Sequence, residues 1–366
     1  MIKTVLLILL LPIASKAVDF YIWQRQLNNQ LIRDTVLKWQ RETPGTTYCL
    51  AGELENDGRQ MTVSPEQFLE PAWTTPVIRI HIRNMTGKTE ELAKNVIKLH
   101  TPWAVCRSLQ IDLDCPEFKL SYYTSLMQQL RKQLPDYRLS ATVLPCHLRH
   151  RKEFKSLADV CDYFVVQVHA LEKDGNDFFI IDRNTALEAI KNAGTFDRPF
   201  KIALPFYTHT INGKTIKPDL HIFPELIRHA EKFPKMSGII AFRLGLPGER
   251  DTVSINTVMS ACKGEYTPGI IPGWQKHPDG AWHLFLENRG HFVEKVTLEL
   301  KWNKNFKILD FDTFNHAAAD RRLHTLTLTL PPDGMSVPYL WLRCPNDINL
   351  NKYDPLTVTI KEIAKK

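Results

Sequence analysis

The stretch Leu109-Gln110-Ile111-Asp112-Leu113-Asp114 alternates a purely aliphatic face with a purely polar one. Alternation of that kind is the mark of a strand whose two faces meet different surroundings. The preceding run does the same, setting Ile78, Ile80 and Ile82 against Arg79, His81 and Arg83. So does the run that sets Phe164, Val166 and Val168 against Val165, Gln167 and His169. One further strand sets Ile202, Leu204 and Phe206 against Ala203, Pro205 and Tyr207. Another sets Ile240, Phe242 and Leu244 against Ala241 and Arg243.

Outward from these runs, eight strands are predicted: Phe20–Arg25, Tyr48–Leu54, Val77–Arg83, Leu109–Asp114, Leu139–Cys146, Tyr163–Ala170, Lys201–Tyr207 and Gly238–Leu244. Helical patterns separate most of them, the clearest being Leu27–Gln40, Glu90–His100, Glu117–Leu134, Ala186–Ala193 and Pro224–Lys232. In Glu117–Leu134, the side chains of Leu120, Tyr123, Met127, Leu130 and Leu134 form one stripe at helical spacing, and Pro135 stops the helix. Eight β/α units in a single run predict an α/β fold, a (β/α)8 TIM barrel over residues 18–250. The aliphatic faces would meet the helices and the polar faces the barrel axis.

Beyond Leu246-Pro247-Gly248 the pattern changes. Ala281–Glu287, Lys295–Trp302, Phe306–Asp310, His324–Leu330 and Tyr339–Arg343 read as strands without helical partners. Leu326, Leu328 and Leu330 alternate with threonines, as in a half-solvated antiparallel strand. Residues 265–366 are therefore expected to form a small all-β, sandwich-like domain.

The amino terminus reads as an export signal. Lys3 precedes the apolar run Val5 to Ile13, and Ser15-Lys16-Ala17 supplies a small-x-small cleavage site. Cleavage after Ala17 and a periplasmic or secreted location follow, the alternative being an uncleaved amino-terminal anchor. No later run is long enough to span a bilayer. Removing the leader leaves 45 basic and 40 acidic side chains, a net charge of +5. With charges so interspersed, no nucleic-acid partner is implied. The basic run His147-Leu148-Arg149-His150-Arg151-Lys152 reads as a solvated loop. The seven cysteines show no zinc spacing. Cys115 and Cys146 end successive predicted strands, which admits a bridge between them after export.

Chemistry in such a barrel sits at the carboxyl ends of the strands. The polar residues expected there are Trp23, Glu53, His81, Asp112, Asp114, Gln167, His169, Tyr207 and Arg243, with Arg79 one layer below His81. Asp112, the deeper carboxylate, is expected to pair with Arg79 and keep a low pKa as a support. Asp114 at the lip is the candidate general acid, and Glu53 the candidate nucleophile or base, because glycosidic hydrolysis requires a pair of carboxylates. Trp23 and Tyr207 offer flat faces to sugar rings, while Arg79, His81, Gln167, His169 and Arg243 offer bonds to hydroxyls. His81, Asp112, Asp114 and His169 include metal-ligand types, but no HxH or HxxE pair fixes two of them together, so neither metal nor cofactor is expected. The ligand expected is a poly- or oligosaccharide. A glycan-binding or envelope-associated protein without catalysis is the alternative, and the sequence leaves the oligomeric state open.

The segments FYIWQRQ (20–26), YCLAGELE (48–55), VIRIHIR (77–83), LQIDLDCPEFKL (109–120), ATVLP (141–145), YFVVQVHALE (163–172), ALPFY (203–207) and AFRLG (241–245) resemble a bacterial family known only as a domain of unknown function. That family is grouped with the TIM-barrel glycoside hydrolases. The resemblance implies the barrel and carbohydrate chemistry, and it carries no catalytic assignment. IDLDCP is also distantly similar to the DxDxE motif of family 18 chitinases. Asp112 and Asp114 match its aspartates, but Pro116 stands where that family has its catalytic glutamate, and Glu117 comes one residue late. That departure argues against the chitinase mechanism. Tyr207 stands where a carboxylate on the seventh strand would be needed for an acid-and-nucleophile pair on strands four and seven.

Overall fold

The computed structural model describes residues 17–366, apart from 44, 56–58, 176, 248, 250–251, 304–306, 315–324, 346–355 and 365–366. The leader up to residue 16 lies outside the described residues. By internal contact the chain divides into two units. One comprises residues up to 170 with 184–205 and 230–248; the other comprises 171–183, 206–229 and 249–366.

The first unit holds eight parallel strands: β1 (Val18–Ile22), β2 (Thr47–Leu54), β3 (Thr74–Ile80), β4 (Ser108–Asp112), β5 (Arg138–Val143), β6 (Tyr163–Gln167), β7 (Phe200–Pro205) and β8 (Met236–Phe242). Each pairs with its neighbours in chain order, and β8 and β2 both pair with β1, so the sheet closes on itself. Helices α1 (Gln30–Glu42), α2 (Thr89–His100), α3 (Leu120–Gln133), α4 (Arg151–Val160), α5 (Arg183–Ala193) and α6 (Phe223–Ala230) alternate with the strands along the chain. This is the (β/α)8 barrel that the alternation predicts. α3 buries Leu120, Tyr123, Leu126, Met127 and Leu130, and it stops at Gln133 ahead of Pro135. Burying each of these large side chains stabilises the fold by about 1.5–3 kcal/mol.

Two expectations about local structure are corrected. β2 ends at Leu54 as predicted, but the other seven strands end two or three residues earlier, because the rim residues leave the ladder. Ile82–Asn84, Glu117–Lys119 and Pro145–Arg149 are short 3-10 turns. The basic run from His147 is not a solvated loop, since His147 and Leu148 are buried and Arg151 opens α4. The helical stripe there is Phe154, Leu157 and Ala158, short enough to be hidden among charges.

In the second unit, α7 (Ile255–Cys262) precedes two antiparallel sheets. β9 (Ile270–Lys276), β10 (Trp282–Asn288), β14 (Met335–Arg343) and β12 (Asp310–Asp312) form one, in that order. β13 (Thr325–Leu330), β11 (Glu294–Trp302) and β15 (Leu356–Ala364) form the other. Both sheets contribute to one core of Leu284, Leu286, Val296, Leu298, Leu328 and Leu340, as a sandwich requires. Phe306, the start of one predicted strand, lies outside the described residues. No helix among the described residues is long and apolar enough to cross a membrane.

Candidate active site

The barrel interior is lined from its base by Tyr21, Tyr48, Val77, Tyr163, Val165, Ala203 and Ile240. Asp19 and Lys201 form a buried ion pair, and the Lys201 ammonium sits 5.5 Å and 5.6 Å from the ring centroids of Tyr48 and Tyr163. Above them Tyr21 donates to Gln110 Oε1 at 2.7 Å, and the Tyr48 and Tyr163 hydroxyls bond at 2.9 Å. None of these partners was singled out from the sequence. Asp19 and Lys201 lie near strand starts, where position gives no hint of pairing across the barrel.

At the carboxyl ends of β2, β3 and β4 the lining becomes charged. Register puts Glu53 beside Arg79, and Arg79 beside Asp112. Glu53 is nearly fully buried and accepts from Arg25 at 2.8 Å and His81 Nε2 at 3.2 Å, with Arg79 Nη1 at 3.5 Å. Its inward aim depends on a bulge. Tyr48 points inward, so strict alternation would turn Glu53 outward, but Ala51 is an extra residue between the Leu50 and Gly52 pairings and reverses the phase. At the bulge only glycine fits easily, because a Cβ on Gly52 would lie 3.0 Å from the Met61 carbonyl oxygen and 3.1 Å from Leu99 Cβ.

Asp112 is buried, and its Oδ1 accepts from Thr142 Oγ1 at 2.8 Å and Gln167 Nε2 at 3.0 Å. Arg79 Nε stands 3.9 Å from its other oxygen. The low pKa expected from that ion pair is corrected. Burial, with the like charge of Asp114 behind it, pushes Asp112 up to about 7 against the pull of Thr142, Arg79 and Gln167. A guanidinium at 3.9 Å that also serves Glu53 is too weak an offset. Asp114 lies open to solvent at the rim, and desolvation by the surrounding protein still raises it above the ordinary carboxylate range. Arg79, His147, Gln167 and His81 oppose that rise.

His147, missed in the sequence because it stood in a charged run, braces this turn. Its Nδ1 accepts from the Leu144 amide at 3.2 Å, which leaves Nε2–H to donate to the Cys115 carbonyl at 2.7 Å. Burial lowers its pKa and keeps it neutral. Cys115 and Cys146 are free thiols, so the bridge admitted by the sequence does not form. The Cys115 sulfur instead lies 3.7 Å from His147 Nε2. Glu117 opens its own 3-10 turn and bonds His150 at 2.8 Å, so it does not replace the missing motif glutamate.

The ends of β8, β1 and β6 supply an aromatic arc on the same rim. Phe242 meets Trp23 at 5.2 Å and Tyr21 at 5.4 Å, and His169 stacks on it at 5.6 Å. Burial lowers His169 to about 4, so it is neutral at pH 7. In β8 the expected phase is inverted. Ile240 packs in the barrel interior with Phe242 against it, and Arg243 lies past the end of the strand. Ile239, Ile240, Ala241 and Phe242 are apolar on both faces, so only the charge of Arg243, past the end of the strand, suggested a phase for them. Tyr207 belongs to the second unit, where it bridges Thr252. Among the described residues, no three His, Cys, Asp or Glu side chains converge as a metal-holding group.

The rim therefore offers a charged arc of Glu53, Arg79, His81, Asp112 and Asp114, joined by Gln167 to an aromatic arc of Trp23, Phe242 and His169. Adjacent carboxylates with raised proton affinity can hold and release a proton near neutral pH.

No curated protein matches the chain. Among solved structures, it is similar to a chitinase from Rhizomucor miehei at 12% identity, over 68% of this chain and 99% of that one, with a TM-score of 0.44. A putative chitinase A from Streptomyces coelicolor shares 12% identity over 68% and 97%, with a TM-score of 0.46. A putative alpha-galactosidase from Bacteroides fragilis shares 13% over 91% and 80%, with a TM-score of 0.40. Residues 76–221, which run from β3 past β7, match a domain of unknown function (DUF3142), and the resemblance read from the strand segments is a match over that span.

Proposed function

We propose that the protein is an exported glycoside hydrolase, or a close relative of one, acting on a poly- or oligosaccharide at the barrel rim. The observation that carries this reading is the Asp112–Asp114 pair, two carboxylates with raised proton affinity on one inward face. Asp114, open to solvent, is the general acid that delivers its proton to the leaving glycosidic oxygen as the bond to the anomeric carbon breaks. Water adds to that carbon, and its proton returns to the aspartate pair. Asp112 shares that proton, oriented by Thr142 and Gln167. Trp23 gives a sugar ring an apolar face, while Arg79, His81 and Gln167 bond its hydroxyls.

Glu53, the expected nucleophile or base, takes a different role in this proposal. Arg25 occupies one of its oxygens, and Arg79 and His81 share the other, so it anchors cations. The same observation favours the second reading, a glycan-binding protein without catalysis, since Glu53 is then not free to act as a second carboxylate beside the pair. The two are separated by incubating the chain with a panel of glycans and measuring reducing-end release. The hydrolase reading expects product from at least one glycan and, in Asp114→Asn, a loss of about 100-fold or more with folding retained. Binding without product in the wild type selects the second reading. The leader is tested apart from this. The mass of the exported chain is expected to start at Val18, and a mass that includes residues 1–17 would mean an uncleaved anchor.

A further inference from the structure

In the four-stranded sheet of the second unit, one face is closed by the sandwich core and the other is not needed for it. Trp282, Leu284 and Leu286 of β10 face the core, so His283, Phe285 and Glu287 face away. In β14 the buried Leu340 and Leu342 leave Trp341 and Arg343 on the outer side, and in β12 the core-packed Phe311 leaves Asp310 and Asp312 there. The register lines these residues up. Gln275, His283, Trp341 and Asp312 form one row across four strands.

The rings on this face are continuous. His283 stacks on His277 at 4.6 Å with the planes 5° apart, meets Phe314 edge-on at 5.5 Å, and lies 6.2 Å from Phe285. Arg343 covers part of the Trp341 ring at 5.8 Å and reaches Asp279 at 3.7 Å. His283, Phe285 and Trp341 are each half-buried, so their ring faces remain partly open.

We infer that this face is a second carbohydrate-binding surface, separate from the barrel rim, for a neutral glycan chain. A pyranose has an apolar C–H face and a rim of hydroxyls. The former fits a row of open rings, and the latter fits planar acceptors and donors such as Asp312, Gln275, Arg343 and Glu287. Charges of both signs border the rings, Asp279, Glu287, Asp310 and Asp312 against Arg289 and Arg343, so nothing draws a polyanion. An aliphatic protein surface seated here would strip water from those carboxylates without replacing their hydrogen bonds. Hydroxyls do replace them.

The test uses the full chain and hexasaccharides of the cello-, xylo- and chito- series, with binding measured by calorimetry. At least one series is expected to bind. Trp341→Ala and Phe285→Ala should each weaken it by about tenfold or more, in the wild type and in an Asp114→Asn background alike. His283→Ala, a change outside the core, gives the same reading if the larger truncations unfold the sheet. Binding of none of the three series overturns the inference. So does affinity lost in Asp114→Asn but kept in Trp341→Ala and His283→Ala. A dimer in sedimentation that Trp341→Ala dissociates would assign the face to a second copy instead. Because the readout is binding that survives Asp114→Asn, failure of the hydrolase reading leaves this result intact, and the converse holds.

Discussion

At the scale of single residues, Asp112 is the group whose proton couples stability to the site. Its folded pKa of about 7 lies above the ordinary 3.8, so the folded chain holds the extra proton between about pH 4 and 7. That contribution is complete at low pH and is lost as pH rises through 7. Buried His169 has the opposite sign. Its value falls from 6.5 to about 4, so its stabilising share grows as pH climbs through that window. The two offset each other, and the bare stability curve is a poor reporter. The difference between wild type and Asp112→Asn isolates the carboxyl, since an amide oxygen can still accept from Thr142 and Gln167. Urea unfolding should show the variant gaining on wild type between pH 4.5 and pH 7.5, by on the order of a few kcal/mol. A difference that stays flat across that range would mean Asp112 is ionised throughout.

Elements show what the sequence made legible and what it hid. Alternation in 77–83, 109–114 and 163–170 identified the inward faces of three strands, because their outer faces are aliphatic and their inner faces polar. β8 gave no such contrast and its phase was inverted. β2 places Glu53 correctly only through the Ala51 bulge, and nothing in YCLAGELE announces an extra residue except the glycine. Gly52→Ala tests that dependence. With its Cβ at 3.0 Å from a carbonyl oxygen, the variant should lose about 1–3 kcal/mol in thermal or urea unfolding. Unchanged stability would mean the adjoining strand (Gln60–Thr62) yields freely. His147 was hidden for another reason. Its burial follows from a tertiary contact with the Cys115 carbonyl, while Arg149, His150, Arg151 and Lys152 after it are charged or exposed and carry no sign of it.

For the whole molecule, the order of β/α units predicted the closed barrel, and the threonine–leucine alternation predicted the antiparallel sheets. The boundary between them was less legible. Residues 171–183 and 206–229 lie between barrel strands in sequence but cluster with the second unit, a partition set by contacts that no local pattern encodes. The rim chemistry was legible as a set of residues and not as a set of roles. Which carboxylate is neutral depends on burial and shared cations, both properties of the assembled barrel. The protonation of the rim pair is measured most directly by carboxyl-carbon NMR of the chain labelled at aspartate, with Asp112→Asn and Asp114→Asn to assign the signals. One carboxyl of the pair is expected to titrate near pH 7, and its midpoint to fall when the other charge is removed. Two rim aspartates both titrating near 4 would contradict it.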